Sequence, residues 1–195
     1  EGEFQSFHAM APKGTLKSVL HDGVWKDLPK ILPPSERPSE PLPNHAPYIV
    51  HKDGAHWMIY GPSPIRLATS TDMMHWTPKG DLFREDNGAR DPSVLLWNDT
   101  YYIVFCTEDR VAARTSKDLI SWGPSQTILE MDANIAPESP SLIRFNNTFY
   151  VFVCGWNGIW DRKTVQGAYQ HRTYVYHSDN PLSFTAKPVT QIQSH

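Results

Sequence analysis

The stretch that decides the fold of this chain is Ala89-Arg90-Asp91-Pro92-Ser93-Val94-Leu95-Leu96-Trp97, followed by Asn98-Asp99-Thr100 and Tyr101-Tyr102-Ile103-Val104-Phe105-Cys106. It has the pattern of a buried strand, a polar turn and a second strand in which aromatic and aliphatic residues alternate. The pattern recurs from His45 and from Pro137. In every copy an aromatic residue follows the first-strand proline by ten positions, in the pairs Pro47 and Trp57, Pro92 and Tyr102, and Pro140 and Tyr150. Three equal offsets indicate a repeated structural unit.

A second spacing extends each unit beyond this hairpin. A serine near the end of a third predicted strand precedes an aromatic residue by six positions, in the pairs Ser70 and Trp76, Ser116 and Trp122, and Ser178 and Phe184. About four strands in ~40–50 residues are typical of a β-propeller blade. We therefore predict a single all-β propeller domain over residues 1–195, with units near 1–30, 45–80, 89–126 and 137–188. The first unit lacks its first strand. A β-sandwich is the alternative, but it gives no reason for the matched offsets.

The composition narrows the classes of partner. The chain has 195 residues, 39% of them hydrophobic and 20% charged, and its formal net charge is −3. Because there is no basic run, neither nucleic acid nor an anionic membrane is an expected partner. No apolar run is long enough to span a bilayer. Six of the 17 prolines lie between residues 29 and 44 and predict an extended connection.

The two cysteines, Cys106 and Cys154, occupy the same place in successive units. Equivalent points of neighbouring units usually lie too far apart for a disulfide, so both are predicted to be small buried thiols. The fourth unit also carries a long insertion from Gly155 to Arg172, which includes Trp156 and Trp160. It is expected between the second and third strands, on one face of the propeller.

Two carboxylates stand at corresponding ends of two units. Asp91 lies one residue before Pro92, and Glu138 lies two residues before Pro140. The innermost strands of a propeller line its axis, so these strand ends are expected to meet in one pocket. Paired carboxylates suit glycoside hydrolysis, in which one acid protonates the leaving oxygen while another carboxylate stabilises or attacks an oxocarbenium-like centre. Taken alone, Asp91-Pro92 also suits a turn or a strand cap.

The triplets Arg90-Asp91-Pro92 and Glu138-Ser139-Pro140, about one unit apart, resemble signatures of the five-bladed β-propeller glycoside hydrolases of families 43, 32 and 68. These families include arabinofuranosidases, xylosidases, arabinanases and β-fructosidases. The first triplet is most similar to family 32. The second stands where family 32 usually has Glu-Cys-Pro and family 43 often has Glu-Gly-Pro. The resemblance covers essentially the whole chain and implies a five-bladed propeller, of which the chain holds about three full blades and parts of others.

The resemblance also implies an activity and roles for individual residues. The substrates would be furanosyl, pentosyl or fructosyl units of plant or microbial glycans. Glu138 would be the general acid, and Asp91 would stabilise the transition state and tune the acid. Arg90 would bind a sugar hydroxyl or orient Asp91, with a structural ion pair as the alternative. Further candidates for binding the sugar are Asn44, His45, Trp156 and Trp160.

One carboxylate of the family pattern is expected outside this sequence. These families carry an aspartate on the first strand of the first blade, and the repeat offset counted back from Gln5 places that position about six residues before Glu1. The chain is therefore expected to be a fragment or a truncated form whose open propeller edges would pair with a second copy, giving a homo-oligomer.

The remaining expectations concern cofactors, location and competing functions. No cofactor is expected, although the resemblance allows a structural calcium ion, and no zinc motif or phosphate-binding loop is present. A secreted or periplasmic location is expected. Two other classes of function stay open, namely a non-catalytic carbohydrate-binding propeller and a protein-interaction platform.

Overall fold

The computed structural model describes residues 6, 8–11, 25–41, 43–131, 135–156, 171–185 and 187–193. Within these ranges the protein is all-β, with one short turn of 3-10 helix at Pro34–Glu36. The strands form three four-stranded antiparallel sheets and one two-stranded sheet. No helix in these ranges has the length and apolar character needed to cross a bilayer. The predicted four-stranded units are therefore confirmed for three sheets.

The sheets follow one another along the chain. The first contains β1 (His8–Met10) and β2 (Lys26–Leu28). The second blade contains β3 (His45–Lys52), β4 (Ala55–Gly61), β5 (Ile65–Ser70) and β6 (Thr77–Phe83). The third blade contains β7 (Arg90–Trp97), β8 (Thr100–Cys106), β9 (Arg110–Ser116) and β10 (Gln126–Glu130). The fourth blade contains β11 (Ala136–Phe145), β12 (Thr148–Trp156), β13 (His171–Ser178) and β14 (Thr190–Gln193). In each blade every strand pairs with its successor in sequence. The first strands lie side by side, with β7 packed against both β3 and β11.

Tight turns fix the hairpin that opens each blade. The two strands are joined through two residues that both have positive φ, in the pairs Asp53 and Gly54 (52° and 74°), Asn98 and Asp99 (50° and 54°), and Asn146 and Asn147 (46° and 65°). Asn, Asp and Gly tolerate this conformation, which matches the twist of the flanking strands. Because the turns have equal length, the ten-residue offsets of the sequence become equal registers in the structure.

The alternating side chains of the second strands form the cores between blades. On β8, Ile103 and Phe105 belong to the core shared with the second blade, where they meet Ile59 and Leu67. The intervening Val104 faces the other way and belongs to the core shared with the fourth blade. Successive residues of a strand point to opposite faces, so one strand ties three blades together.

Each inner strand carries a β-bulge just before its proline. The pairing with the second strand slips by one residue after His45, after Arg90 and after Glu138. The residue that follows each of these has positive φ: 50° at Ala46, 55° at Asp91 and 48° at Ser139. Glu138 therefore corresponds to Arg90, and Asp91 corresponds to Ser139. The two acids thus occupy neighbouring positions of the repeat, which agrees with their distances of one and two residues from the prolines.

The connection between the first two sheets departs from the predicted extended form. Pro34 begins the 3-10 turn, where its fixed φ suits the first helical position. Arg37 is buried and donates from Nε to the carbonyl of Leu32 at 2.8 Å. This contact folds the connection back on itself. The predicted insertion does lie between the second and third strands of the fourth blade, although residues 157–170 fall outside the described ranges.

The Ser-x-Asp segments form matching loops after the third strands. In the third blade the hydroxyl oxygen of Ser116 accepts the N–H of Leu119 at 2.9 Å, and Oδ1 of Asp118 accepts the N–H groups of Ile120 and Ser121 at 2.8 and 2.7 Å. Ser70 and Asp72 make the same pattern in the second blade. The backbone N–H of Ser121, then that of Ile120, and the hydroxyl of Ser116 lower the pKa of Asp118 to about 2.

Truncating the core side chain of Ile103 to alanine should destabilise the protein by about 2–5 kcal/mol, because this fully buried residue leaves a cavity between two blades. Urea denaturation measures the free energy of unfolding. Leu96→Ala, at a position that is 55% exposed on the neighbouring strand, should change it by no more than about 0.5 kcal/mol. Equal effects of the two changes would contradict this account of the core.

The Asp118 loop should make stability depend on acid pH. A folded-state pKa of about 2, below the ordinary 3.8, means that the ionised carboxylate favours the folded state at every pH above its unfolded value. This contribution is lost as the pH falls from about 4 to about 2. The Tm of Asp118→Asn should therefore lie below that of the wild type at neutral pH and approach it near pH 2. A Tm difference that stays constant over this range would rule the mechanism out.

Candidate active site

The structure brings the two predicted acids together at one end of adjacent inner strands. Asp91 lies at the start of β7 and Glu138 at the start of β11, and both are half-buried. Oδ2 of Asp91 accepts the backbone N–H of Ser139 at 2.9 Å. The carboxylate of Asp91 therefore lies against the peptide unit that immediately follows Glu138.

Arg90 spans the same two blades. It donates from Nη1 to the carbonyl of Thr107 at 3.0 Å, within its own blade. It also donates from Nη2 to the carbonyl of Pro137, in the fourth blade, at 2.8 Å. Guanidinium donors placed on carbonyl oxygens make strong, directional hydrogen bonds. Arg90 is thus part of the junction that sets the spacing of the two inner strands.

The side chain of Cys106 contacts the carboxylate of Asp91. This contact was not predicted from the sequence. Cys106 is fully buried and pairs with Arg90 across the bulge. Its Sγ lies 3.5 Å from Oδ2 of Asp91 and 3.6 Å from the carbonyl of Arg90. Burial raises the pKa of the Cys106 thiol, and the charge of Asp91 raises it further. The thiol therefore stays neutral and can donate its proton toward the carboxylate.

Small residues recur opposite the bulge. Gly61, Cys106 and Cys154 hold this place in the three blades. A β-bulge sets two residues of one strand against one residue of its partner. The pairing register could have indicated the contact with Asp91, had the bulge been recognised. Both cysteines are free thiols, as predicted, although Cys154 is only half-buried.

Two predicted sugar-binding residues lie at the corresponding end of the second blade. Asn44 is fully buried, and its Oδ1 accepts the hydroxyl of Ser6 at 3.0 Å. This bond links the N-terminal segment to the second blade. His45 is half-buried and opens β3 opposite Gly61. Neither residue contacts Asp91 or Glu138 in the hydrogen bonds of the described residues, so their sugar contacts stay predictions.

The two predicted stacking tryptophans differ in what can be said of them. The backbone of Trp156 ends β12 and pairs with Ala136, next to the strand end that carries Glu138. Its side chain, and the whole of Trp160, lie outside the described part of the chain. Among the described residues, no three His, Cys, Asp or Glu side chains are grouped as metal ligands. The structural calcium ion that the resemblance allows stays a prediction.

Two carboxylates at neighbouring strand ends suit the class of glycoside hydrolases that work with two acidic side chains. The comparison with protein families agrees with this class. The sequence pattern of Glycosyl hydrolases family 43 matches residues 86–189, which is more than half of the chain. The chain belongs to this family, and the matched region contains both Asp91 and Glu138.

Solved structures show the same fold at low sequence identity. An exo-1,5-α-L-arabinanase from a bovine ruminal metagenomic library superposes with a TM-score of 0.62 at 20% identity, over 80% of this chain and 61% of that one. For the α-L-arabinanase of Cellvibrio cellulosa complexed with arabinohexaose the values are 0.65, 14%, 84% and 63%. For a family 32 β-fructofuranosidase of Bombyx mori they are 0.62, 18%, 87% and 40%.

These matches also fix the extent of the likeness. The chain spans about three fifths of the length of the arabinanases, with 61% and 63% coverage. No curated protein sequence is similar enough to count as a relative. The likeness to solved structures therefore establishes the fold, while family membership rests on the match over residues 86–189.

The two cysteines should differ sharply in reactivity. Cys106 should react with iodoacetamide at least about tenfold more slowly than Cys154 in the native protein, because the thiolate is the nucleophile and Cys106 is buried and neutral. Peptide mass spectrometry after brief labelling measures the two rates. In denaturant the rates should become similar. Equal labelling of the native protein would contradict the position of Cys106 behind Asp91.

Proposed function

We propose that this chain carries the general acid and the stabilising carboxylate of a glycoside hydrolase. The enzyme would cleave furanosyl, pentosyl or fructosyl units from plant or microbial glycans. The observation that supports this most directly is the bond between Oδ2 of Asp91 and the N–H of Ser139. This bond holds the carboxylate of Asp91 beside Glu138, the residue that precedes Ser139. Membership of family 43 supports the same class of reaction.

In this proposal Glu138 is the general acid. Its carboxyl group would protonate the glycosidic oxygen as the bond to the sugar breaks, so that the leaving group departs as a neutral alcohol. The Glu138 side chain is half-buried at the start of β11. The side chain can still reach a substrate.

Asp91 would act as the stabilising carboxylate. The hydrogen bonds found for it among the described residues involve Oδ2, which accepts from Ser139 and lies near the Cys106 thiol. Oδ1 is then available to accept a sugar hydroxyl, and the negative charge would stabilise the positive charge that develops on the sugar ring. Asp91 would thus have one oxygen for the protein and one for the substrate.

We infer a five-bladed propeller for the whole domain. The chain contains three complete blades and a two-stranded sheet, and it covers about three fifths of the arabinanases that share the fold. The arabinohexaose complex of one of these arabinanases favours α-linked arabinose oligomers as the first substrates to test. Secretion and pairing with a second copy stay predictions.

Glu138→Gln should lower the hydrolysis of aryl arabinofuranosides by about 10²–10⁴-fold, the usual contribution of a general acid. The loss should be largest for phenyl glycosides and smallest for dinitrophenyl glycosides, whose leaving groups need little protonation. Absorbance assays over a panel of arabinofuranosides, xylosides and fructosides measure the rates. Glu130→Gln, on the exposed face of the outer strand β10, is the matched control and should have no effect.

The same assays separate the competing functions. Unchanged turnover in Glu138→Gln would remove Glu138 from the acid role. Sugar binding by calorimetry without turnover in the wild type would mean either an incomplete catalytic site, since one aspartate of the family pattern is expected outside this sequence, or the carbohydrate-binding alternative. The absence of both would favour the protein-interaction alternative.

A further inference from the structure

We propose that Arg90 is a positioning residue which, together with Asp91, holds the main chain of Glu138 from both sides. This inference rests on the proposed function of Glu138 as the general acid. It assigns Arg90 to the placement of the acid rather than to contact with the sugar. The two residues are consecutive in the third blade, whereas Glu138 belongs to the fourth.

The geometry of the two contacts carries the proposal. Nη2 of Arg90 donates to the carbonyl of Pro137, which belongs to the peptide unit before Glu138. Oδ2 of Asp91 accepts the N–H of Ser139, which belongs to the peptide unit after Glu138. The donor and the acceptor therefore bind the two peptide units that flank the Cα atom of Glu138. We call this pair of hydrogen bonds the grip. Two such points fix the position of that Cα and restrict rotation of both adjoining peptides.

Each half of this grip is itself anchored in the third blade. Nη1 of Arg90 donates to the carbonyl of Thr107, so the guanidinium group is held at two points rather than one. Asp91 is held from behind by the contact of Oδ2 with the Cys106 thiol. Thr107 and Cys106 are buried residues at the end of β8. Arg90 and Asp91 are thus both attached to the buried end of β8.

The backbone at the bulge makes the grip local to this pair of blades. Asp91 and Ser139 both have positive φ at equivalent positions, as does Ala46 in the second blade. A side chain that ends at Cβ cannot bridge two blades, so the Ala46 position offers no carboxylate to a neighbour. Only the third blade places Arg and Asp at this point in the three complete blades of the described structure. The residue they hold is the proposed acid.

A positioning role and a sugar-binding role predict different kinetics. If Arg90 positions Glu138, its loss displaces the acid, and kcat falls while affinity for the sugar is kept. A displacement of about 1 Å costs on the order of 10²-fold in rate. If Arg90 binds a sugar hydroxyl, its loss weakens substrate binding and raises KM.

Hydrogen exchange tests the grip without reference to catalysis. NMR should show a slowly exchanging Ser139 amide in the wild type, because Asp91 accepts its proton although the residue itself is exposed. Asp91→Ala should speed this exchange at least about tenfold, and the Ala46 position shows that alanine fits the bulge. Arg90→Met should also speed the exchange of the Ser139 amide, although Arg90 does not contact this amide. The Arg90 and Asp91 contacts hold the same segment, from Pro137 to Ser139. The Val151 amide in β12 should not change.

Kinetics then test what the grip does. Arg90→Met should lower kcat about 10-fold to 100-fold and leave KM and the Kd of a non-hydrolysed arabinoside within about twofold. Arg90→Lys should recover part of kcat, since one ammonium donor can replace one of the two bonds. Arg84→Met is the control and should change neither kcat nor KM, because it removes only the ion pair between Asp81 and the 69% exposed side chain of Arg84.

These experiments test the positioning role of Arg90 separately from the proposed function. An unchanged Ser139 amide in Arg90→Met, or a raised KM with unchanged kcat, would overturn the proposal. If Arg90→Met fails to fold, Arg90→Lys is compared in the same two experiments. If the wild type shows no turnover, since one aspartate of the family pattern is expected outside this sequence, the exchange experiment alone supports or overturns the grip.

Discussion

The rest of the structure depends on one backbone feature, the β-bulge that precedes the proline of each inner strand. Its positive φ, 55° at Asp91, strains a residue that is not glycine and is kept only where the surroundings fix it. The bulge turns consecutive side chains toward the junction of neighbouring blades, opposite a small residue on the next strand. Without it, the alternation of the strand would send Arg90 and Asp91 to opposite faces. The junction between the third and fourth blades follows from this local geometry.

The fold was predictable because it repeats. A single hairpin of alternating residues is compatible with several all-β folds, but equal offsets in three copies require a repeated hairpin of constant length. The turns at Asn98-Asp99 and Asn146-Asn147 convert those offsets into register, since both residues accept positive φ. The connection at residues 29–44 was not predicted correctly, because a high proline content indicates an extended chain and does not reveal a side chain that folds it back. Arg37 supplies that contact from within the connection.

The meeting of the two acidic strand ends was predictable from the sequence, but its detail was not. Asp91 and Glu138 were found from their distances to the prolines, and these distances already differ by one residue. The β-bulge at this point was not predicted, because a slip in pairing depends on the neighbouring strand. Two contacts were not predicted from the sequence. The bond from Arg90 to the Pro137 carbonyl forms only when the blades pack, and the contact of Cys106 with Asp91 depends on how β7 pairs with β8. The side chain of Asn44 is buried against Ser6, and its contact with the sugar stays a prediction.

A repeat protein can build a site by varying one position around a constant frame. Arg90, Glu138 and His45 share one place in their blades, and Asp91, Ser139 and Ala46 share the next. The frame guarantees that neighbouring copies of these places lie close together, so chemistry needs only different residues at them. An acid in one blade then meets a main-chain donor of the next, and the same bond that joins the blades orients the acid. Stability of the junction and geometry of the site are therefore coupled, since the carboxylate of Asp91 serves both.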